Sequence, residues 1–110
     1  MNLYMNDVLL DFCKAWQLLD ANLIIKHLDD NFVYDSHWVL SSLDCSGYKD
    51  YITKKFNILK EKGCCINALI VDDPYFQGGR MLKLIQDNNV CYYRIQISNN
   101  KVIKGDLCMF

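Results

Sequence analysis

The sequence predicts an α+β fold in which helices cover one face of a curved, mostly antiparallel sheet. In the first half of the 110-residue chain, apolar residues recur at spacings of three and four, as in amphipathic helices. After residue 63 the period changes to two, and Asn-rich turns at residues 87–89 and 98–100 separate consecutive strands. Strands joined in this way form an antiparallel meander, so helices and strands are largely segregated along the chain.

Length and composition indicate one domain, residues 1–110, with a single core. The chain has 12 Lys and Arg against 13 Asp and Glu, so no basic surface for nucleic acid is expected. No apolar run approaches the roughly 18–20 residues that span a membrane. The first residues also lack the basic region of a secretory signal. We therefore expect a cytoplasmic protein that binds neither nucleic acid nor membrane.

The six cysteines are expected to be free thiols, because the predicted core is large enough to fold without disulfides. No C-x-x-C pair is present, so neither a structural zinc site nor a thioredoxin-type redox site is indicated. We expect no metal and no cofactor.

Two helices are predicted before the first strand. Asn6 is a favourable N-cap for a helix that runs to about Leu19. One face of this helix carries an apolar stripe formed by Leu9, Phe12, Trp16 and Leu19. Asp20 then caps a second, short helix, which ends at the polar residues 29–31. His27 in this second helix is expected at the surface.

The first strand is predicted over residues 32–40, where the two faces differ in polarity. One face carries Phe32, Tyr34, Ser36, Trp38 and Leu40, and the other carries Val33, Asp35, His37 and Val39. A loop at 41–47 leads to a third helix over residues 48–61, which Gly63 ends. Four more strands follow at residues 64–71, 80–86, 90–97 and 101–110. Helices laid over a curved sheet leave a hollow between the layers, and such hollows are ligand sites.

This order of elements resembles the nuclear-transport-factor-two-like superfamily, whose members include SnoaL-like polyketide cyclases, ketosteroid isomerases and scytalone dehydratase. The resemblance rests on four short segments, namely residues 16–20, 28–30, 35–36 and Gly47. It implies a cone-shaped, cystatin-like fold with three N-terminal helices packed on the sheet. It also implies a homodimer formed through the outer sheet face, where Tyr92, Arg94 and Gln96 alternate. The family contains enzymes, ligand binders and protein-binding modules, so the fold alone does not specify function.

The resemblance places Asp35 at the position of the general base of ketosteroid isomerases. Phe12 stands near the place of their oxyanion-hole Tyr, and Tyr93 stands near the place of their protonated carboxyl group. Isomerisation needs the base and both donors, so it is not expected here. A different proton transfer stays open, with Asp35 as base, His37 as its partner two residues along the same strand face, and Tyr93 as hydrogen-bond donor. The alternative is a solvated polar strand face.

The sequence therefore predicts a pocket that binds a small apolar or aromatic molecule. The residues expected to line it are Phe12, Trp16, Ser36, Trp38 and Phe56. If the chain is an enzyme, we expect a cofactor-independent isomerase, cyclase or dehydratase. The alternative function is a non-catalytic interaction or dimerisation domain that uses the open sheet face.

Overall fold

The fold is a helical layer packed on one mixed, six-stranded sheet. The computed structural model describes residues 3–36, 41–75 and 78–108. In these residues the helices are α1 (Leu3–Leu18), α2 (Asn22–Ile25) and α3 (Cys45–Glu61). The strands are β1 (Leu28–Ser36), β2 (Leu43–Asp44), β3 (Asn67–Asp72), β4 (Arg80–Gln86), β5 (Asn89–Ser98) and β6 (Lys101–Cys108). The predicted α+β class is confirmed.

The strands lie in the order β2-β1-β6-β5-β4-β3. Strands β3 to β6 form the predicted antiparallel meander. The last strand also pairs with β1, in the parallel direction, and β2 is an antiparallel edge strand on β1. The first and last strands of the chain are therefore neighbours in the sheet.

The expectation of three N-terminal helices needs correction. One long helix, α1, precedes the sheet, α2 is a single turn, and α3 follows β1 and β2. Strand β1 begins at Leu28, so Asp29 and Asp30, which were expected to end α2, lie within the strand. Leu28 pairs with Val102 of β6. This pairing outcompetes the helix because a four-residue helical segment has little stability of its own.

Helix α3 begins at Cys45, three residues before the predicted start. The carboxylate of Asp44 accepts a hydrogen bond from the backbone N–H of Gly47, at 2.7 Å. This is the geometry of an N-cap, in which a short polar side chain satisfies a free amide of the first turn. The cap therefore stabilises the first turn of α3 and fixes its start at Cys45.

The core lies between the helices and one face of the sheet, called here the inner face. Helix α1 packs on β3 and β4, and α3 packs on β1. The centre of this core is aromatic, and its buried rings belong to Phe12, Phe32, Tyr34, Tyr48, Phe56 and Tyr93. All six cysteines are free thiols, from the buried Cys45 to the exposed Cys65. No helix of the described residues is long and apolar enough to cross a membrane.

The opposite, outer face carries an ion pair that attaches the β3–β4 connection to the sheet. Both oxygens of Asp73 accept hydrogen bonds from Arg94 of β5, at 2.6 and 2.9 Å. The Arg94 guanidinium also lies 5.0 Å from the ring centroid of Tyr75. The side chain of Asp73 is only 4% exposed. Arg94, which the sequence placed in a dimer interface, therefore has a partner within its own chain.

Burial acts to raise the pKa of Asp73, but hydrogen bonds from Arg94 and from the Tyr75 amide lower it more. The pKa of Asp73 therefore lies below its ordinary value. A carboxyl group whose pKa falls on folding stabilises the native state above its unfolded pKa, about 3.9. This stabilisation is lost as the pH falls through the lower folded value.

We expect Asp73→Ala to lower the free energy of unfolding by about 2–4 kcal/mol at pH 7. It leaves Arg94 without its buried partner, although Arg94 is itself partly solvated. Urea denaturation at pH 7, 4 and 3 measures the effect, and the gap between wild type and variant should shrink in acid. Asp72→Ala, at the exposed neighbouring residue, is the control and should change stability by less than about 0.5 kcal/mol. Equal losses of unfolding free energy in Asp73→Ala and Asp72→Ala would contradict a stabilising role of the Asp73–Arg94 ion pair.

Gly105 of β6 gives a second test of the fold. A Cβ atom at this residue would lie 2.9 Å from Cζ of Tyr93 and 3.1 Å from Cζ of Phe32, with the Tyr93 hydroxyl closer still. We expect Gly105→Ala to cost about 1–3 kcal/mol in the free energy of unfolding, because the Tyr93 ring must move. In a Tyr93→Phe background the cost should fall by at least about 0.5 kcal/mol. Additive effects in this double-mutant cycle would show that the Tyr93 hydroxyl does not lie against Gly105.

Candidate functional site

A cavity of about 240 Å³ lies between the helices and the inner face of the sheet, at the end where the β4–β5 hairpin turns. Its walls come from the last turn of α1, the middle of α3 and three central strands. The lining residues are Trp16, Lys55, Ile66, Leu84, Gln86, Asn89, Cys91 and Leu107. Elements distant in sequence thus converge on one small space.

The floor of the cavity is apolar and its rim is polar. The buried lining residues are Trp16, Ile66, Leu84 and Leu107, whereas Lys55, Gln86 and Cys91 are half-buried and Asn89 is exposed. Small-molecule sites have this composition, since apolar walls supply affinity and a few polar groups fix orientation.

Trp16 is the largest group of the floor. Its ring meets Phe56 edge-on, with centroids 4.8 Å apart. Its indole nitrogen is buried and has no hydrogen-bond partner in the part of the chain that the structure describes. Buried donors without acceptors are rare in folded proteins. An acceptor brought by a ligand would therefore stabilise this end of the core.

Lys55 supplies the positive charge of the rim. Its ammonium nitrogen lies 5.9 Å from the ring centroid of Trp16 and 5.7 Å from that of Tyr51. The same nitrogen donates a long hydrogen bond to the Tyr51 hydroxyl, at 3.5 Å. These cation–π contacts hold the ammonium group at the edge of the apolar floor.

Tyr93, the predicted hydrogen-bond donor, is completely buried and does not line this cavity. Its hydroxyl donates to the hydroxyl of Tyr48 at 3.1 Å. Phe12 and Tyr34 flank its ring, with centroid distances of 5.8 and 6.2 Å. Burial raises the pKa of both Tyr93 and Tyr48, so both phenols are neutral and already paired. Aromatic side chains thus fill the middle of the inner face.

Asp35, the predicted base, lies on the outer face of β1. Its neighbours Phe32 and Tyr34 are buried on the inner face, and strand alternation turns Asp35 to the opposite side. The Asp35 carboxylate accepts a hydrogen bond from Ser42 and lies 3.6 Å from the ammonium of Lys104. The structure therefore does not bring Asp35 and Tyr93 into a common cavity. Their catalytic roles stay predictions, and His37 lies outside the described residues.

Of the five residues predicted to line a pocket, Trp16 does so. Phe12 and Phe56 belong to the aromatic core, and Ser36 lies half-buried on the same side of β1 as Tyr34. Trp38 lies outside the described residues. Sequence reasoning missed Lys55, although a signal existed: it follows Tyr51 by four residues and Ile52 by three, and so borders the apolar stripe of α3.

His27 is a further correction, since it is buried rather than exposed. Its imidazole Nε2 lies 2.7 Å from the Asp11 carboxylate, and Lys26 lies 3.2 Å from the same oxygen. Burial acts to raise the pKa of Asp11, but the hydrogen bonds from His27 and Lys26 bring it below its ordinary value. The His27 carbonyl accepts from the Val102 amide. The residue thus joins α1 to the start of the sheet.

Within residues 3–36, 41–75 and 78–108, no three His, Cys, Asp or Glu side chains gather in an arrangement that could hold a metal ion.

No protein-family model matches the chain, and no curated protein matches it in sequence. Solved structures do match its fold. A SnoaL-like protein of unknown function from Burkholderia thailandensis has a TM-score of 0.75 at 10% identity, covering 97% of this chain and 94% of that one. An NTF2-like protein of unknown function from Cytophaga hutchinsonii has a TM-score of 0.64 at 10% identity, covering 97% and 90%.

A third structure, from Catenulispora acidiphila, has a ketosteroid isomerase-like fold and was solved in complex with trimethylamine. Its TM-score is 0.61 at 7% identity, with coverage of 93% of this chain and 84% of that one. At such low identity these likenesses establish the fold and leave function open. The chain therefore has the fold shared by SnoaL-like, NTF2-like, cystatin-fold and ketosteroid isomerase-like proteins, as the order of its elements predicted.

Proposed function

We propose that this protein binds a small apolar or aromatic molecule in the cavity beside Trp16. The observation that carries the proposal is the composition of that cavity, with a buried apolar floor and a half-exposed polar rim. A ligand there would remove its own apolar surface from water without displacing charged groups of the protein.

The size of the cavity limits the ligand. A protein cavity of about 150 Å³ binds benzene, and this one, at about 240 Å³, is less than twice as large. A single aromatic ring with a short substituent matches this volume, whereas the four fused rings of a steroid do not. The complex of a ketosteroid isomerase-like protein with trimethylamine is consistent with a small ligand in this fold.

The geometry supports binding better than catalysis. Proton transfer needs a base and a donor that reach the same substrate. The Tyr93 hydroxyl is already bonded to Tyr48 in the core. Asp35 lies on the other side of the sheet, with its side chain 43% exposed and beside Lys104. A cofactor-independent isomerase, cyclase or dehydratase activity accordingly stays a prediction from the sequence.

The alternative function is an interaction domain that uses the outer face of the sheet. The middle of that face is charged, since Lys104 lies 3.6 Å from Asp35 and 3.9 Å from Asp106. Exposed apolar side chains occur at Val33 of β1 and Leu69 of β3, which three strands separate. Stable homodimer interfaces are more apolar and more continuous than this. The cavity is therefore the better-supported site.

We expect a neutral single-ring probe such as benzyl alcohol to raise the melting temperature of the wild-type chain at millimolar concentration. Leu84→Trp, which fills the floor of the cavity, should abolish the shift. Leu69→Trp, an exposed position on the adjacent strand, is the control and should retain it. A four-ring ketosteroid should neither bind nor be isomerised.

The binding of benzyl alcohol can also be followed in the wild-type chain, with no amino-acid substitution. Bound benzyl alcohol should slow the alkylation of Cys91, which lines the cavity, and leave the exposed Cys65 unchanged. Peptide mapping by mass spectrometry reads both rates. Equal rates with and without the probe, together with an unchanged melting temperature, would contradict the proposed function.

The homodimer also stays a prediction, and sedimentation velocity at micromolar concentration tests it. If two copies pair through their outer faces, the wild-type chain should sediment as a dimer, and Gln96→Arg on that face should weaken it by placing like charges together. Asn57→Arg, on the exposed side of α3, is the control and should leave the dimer intact. A monomeric wild-type chain would contradict the predicted homodimer.

A further inference from the structure

We propose that the ligand of the cavity is an anion, namely a single-ring aromatic carboxylate whose carboxylate group pairs with Lys55 while its ring packs against Trp16. This inference rests on the proposed function and names its ligand class.

The charge of the lining is the first observation. Among the described residues that line the cavity, Lys55 is the one with a charge, and the polar groups beside it, Gln86 and Asn89, are neutral amides. None of these described lining residues is acidic, so none would repel a carboxylate. A cationic ligand would meet a like charge at the rim, whereas an anionic one would meet its complement.

The state of the Lys55 ammonium is the second observation. It forms no ion pair with any carboxylate of the described residues. Its neighbours are two aromatic rings and the Tyr51 hydroxyl. A hydroxyl and ring faces compensate a positive charge less well than a carboxylate does, because they carry only partial charges whereas a carboxylate carries a full negative charge. A ligand carboxylate would therefore supply the interaction that this half-buried ammonium lacks.

The position of the ammonium is the third observation. It lies above the edge of the apolar floor, 5.9 Å from the Trp16 centroid. A carboxylate within hydrogen-bond distance of this nitrogen would have its hydrocarbon portion directed at Trp16. A short linker between the carboxylate group and the aromatic ring of the ligand is therefore sufficient, and the cavity volume of about 240 Å³ accommodates both groups.

The depression next to the cavity has no acidic side chain among its described lining residues. This second, shallower depression of about 310 Å³ meets the cavity at Lys55, on the exposed side of α3. Its other lining residues are Tyr51, Lys54, Ile58 and Leu59. Lys54 lines this outer depression and not the cavity, so substitutions at the two lysines distinguish binding in the cavity from binding outside it.

The test compares three probes of matched shape by calorimetry: phenylacetate, its neutral isostere phenylacetamide, and the cation phenethylamine. We expect phenylacetate to bind the wild-type chain about tenfold tighter than phenylacetamide, and phenethylamine to bind more weakly than either. Lys55→Met should weaken phenylacetate about tenfold and change phenylacetamide by less than about threefold. Lys54→Met is the matched control and should leave both affinities within about threefold of wild type.

The outcomes separate this inference from the proposal on which it rests. Equal affinity for phenylacetate and phenylacetamide in the wild-type chain would overturn the carboxylate assignment and leave cavity binding in place. An equal loss of phenylacetate affinity in Lys54→Met and Lys55→Met would also overturn the carboxylate assignment, because the anion would then bind in the outer depression. Failure of all three probes to bind would overturn the proposed function itself. The comparison of probes in the wild-type chain stands even if Lys55→Met does not fold.

Discussion

The close approach of Tyr93 to Gly105 organises this structure. The Tyr93 ring can lie over β6 only because residue 105 has no side chain. From there its hydroxyl reaches the Tyr48 hydroxyl of α3, while Phe12 of α1 packs beside it. The sheet, α1 and α3 thus all make contacts at the Tyr93 ring. A buried phenol needs a hydrogen-bond partner, and the Tyr93–Tyr48 pair satisfies this requirement inside the core.

The packing of aromatic side chains between the helices and the sheet determines where a ligand can bind. In a fold that covers a sheet with helices, the space between the layers either is packed or stays open. Here the aromatic core packs the middle, and the remaining space lies at the end of the layer, beside Trp16. The site therefore takes its charge from α3, through Lys55. Proteins that share the fold can bind different molecules because this division of space depends on only a few side chains.

The two faces of the sheet have separate roles because strand side chains alternate. The inner face buries the aromatic core. The outer face holds the charged residues. Asp73 and Arg94 form the ion pair that attaches the β3–β4 connection to the sheet. Lys104 lies beside Asp35 and Asp106. Since Asp35 belongs to the outer set, a base on β1 and a phenol on β5 are separated by the thickness of the sheet. Disruption of an ion pair on that face costs most where the pair is buried, as at Asp73, because removal of one partner leaves an uncompensated charge.

Local patterns in the sequence determined the class of the fold, the stripes of α1 and α3, the meander and the division of β1 into two faces, although not which of these faces is buried. These follow from helical and strand periodicity, which depends only on neighbouring residues. Tertiary structure alone decided the parallel pairing of β1 with β6, the Tyr93–Tyr48 bond and the convergence of Lys55, Cys91 and Trp16 on one cavity. Periodicity gives the face on which a side chain lies. The distance between faces of elements far apart in the chain depends on how all of them pack together.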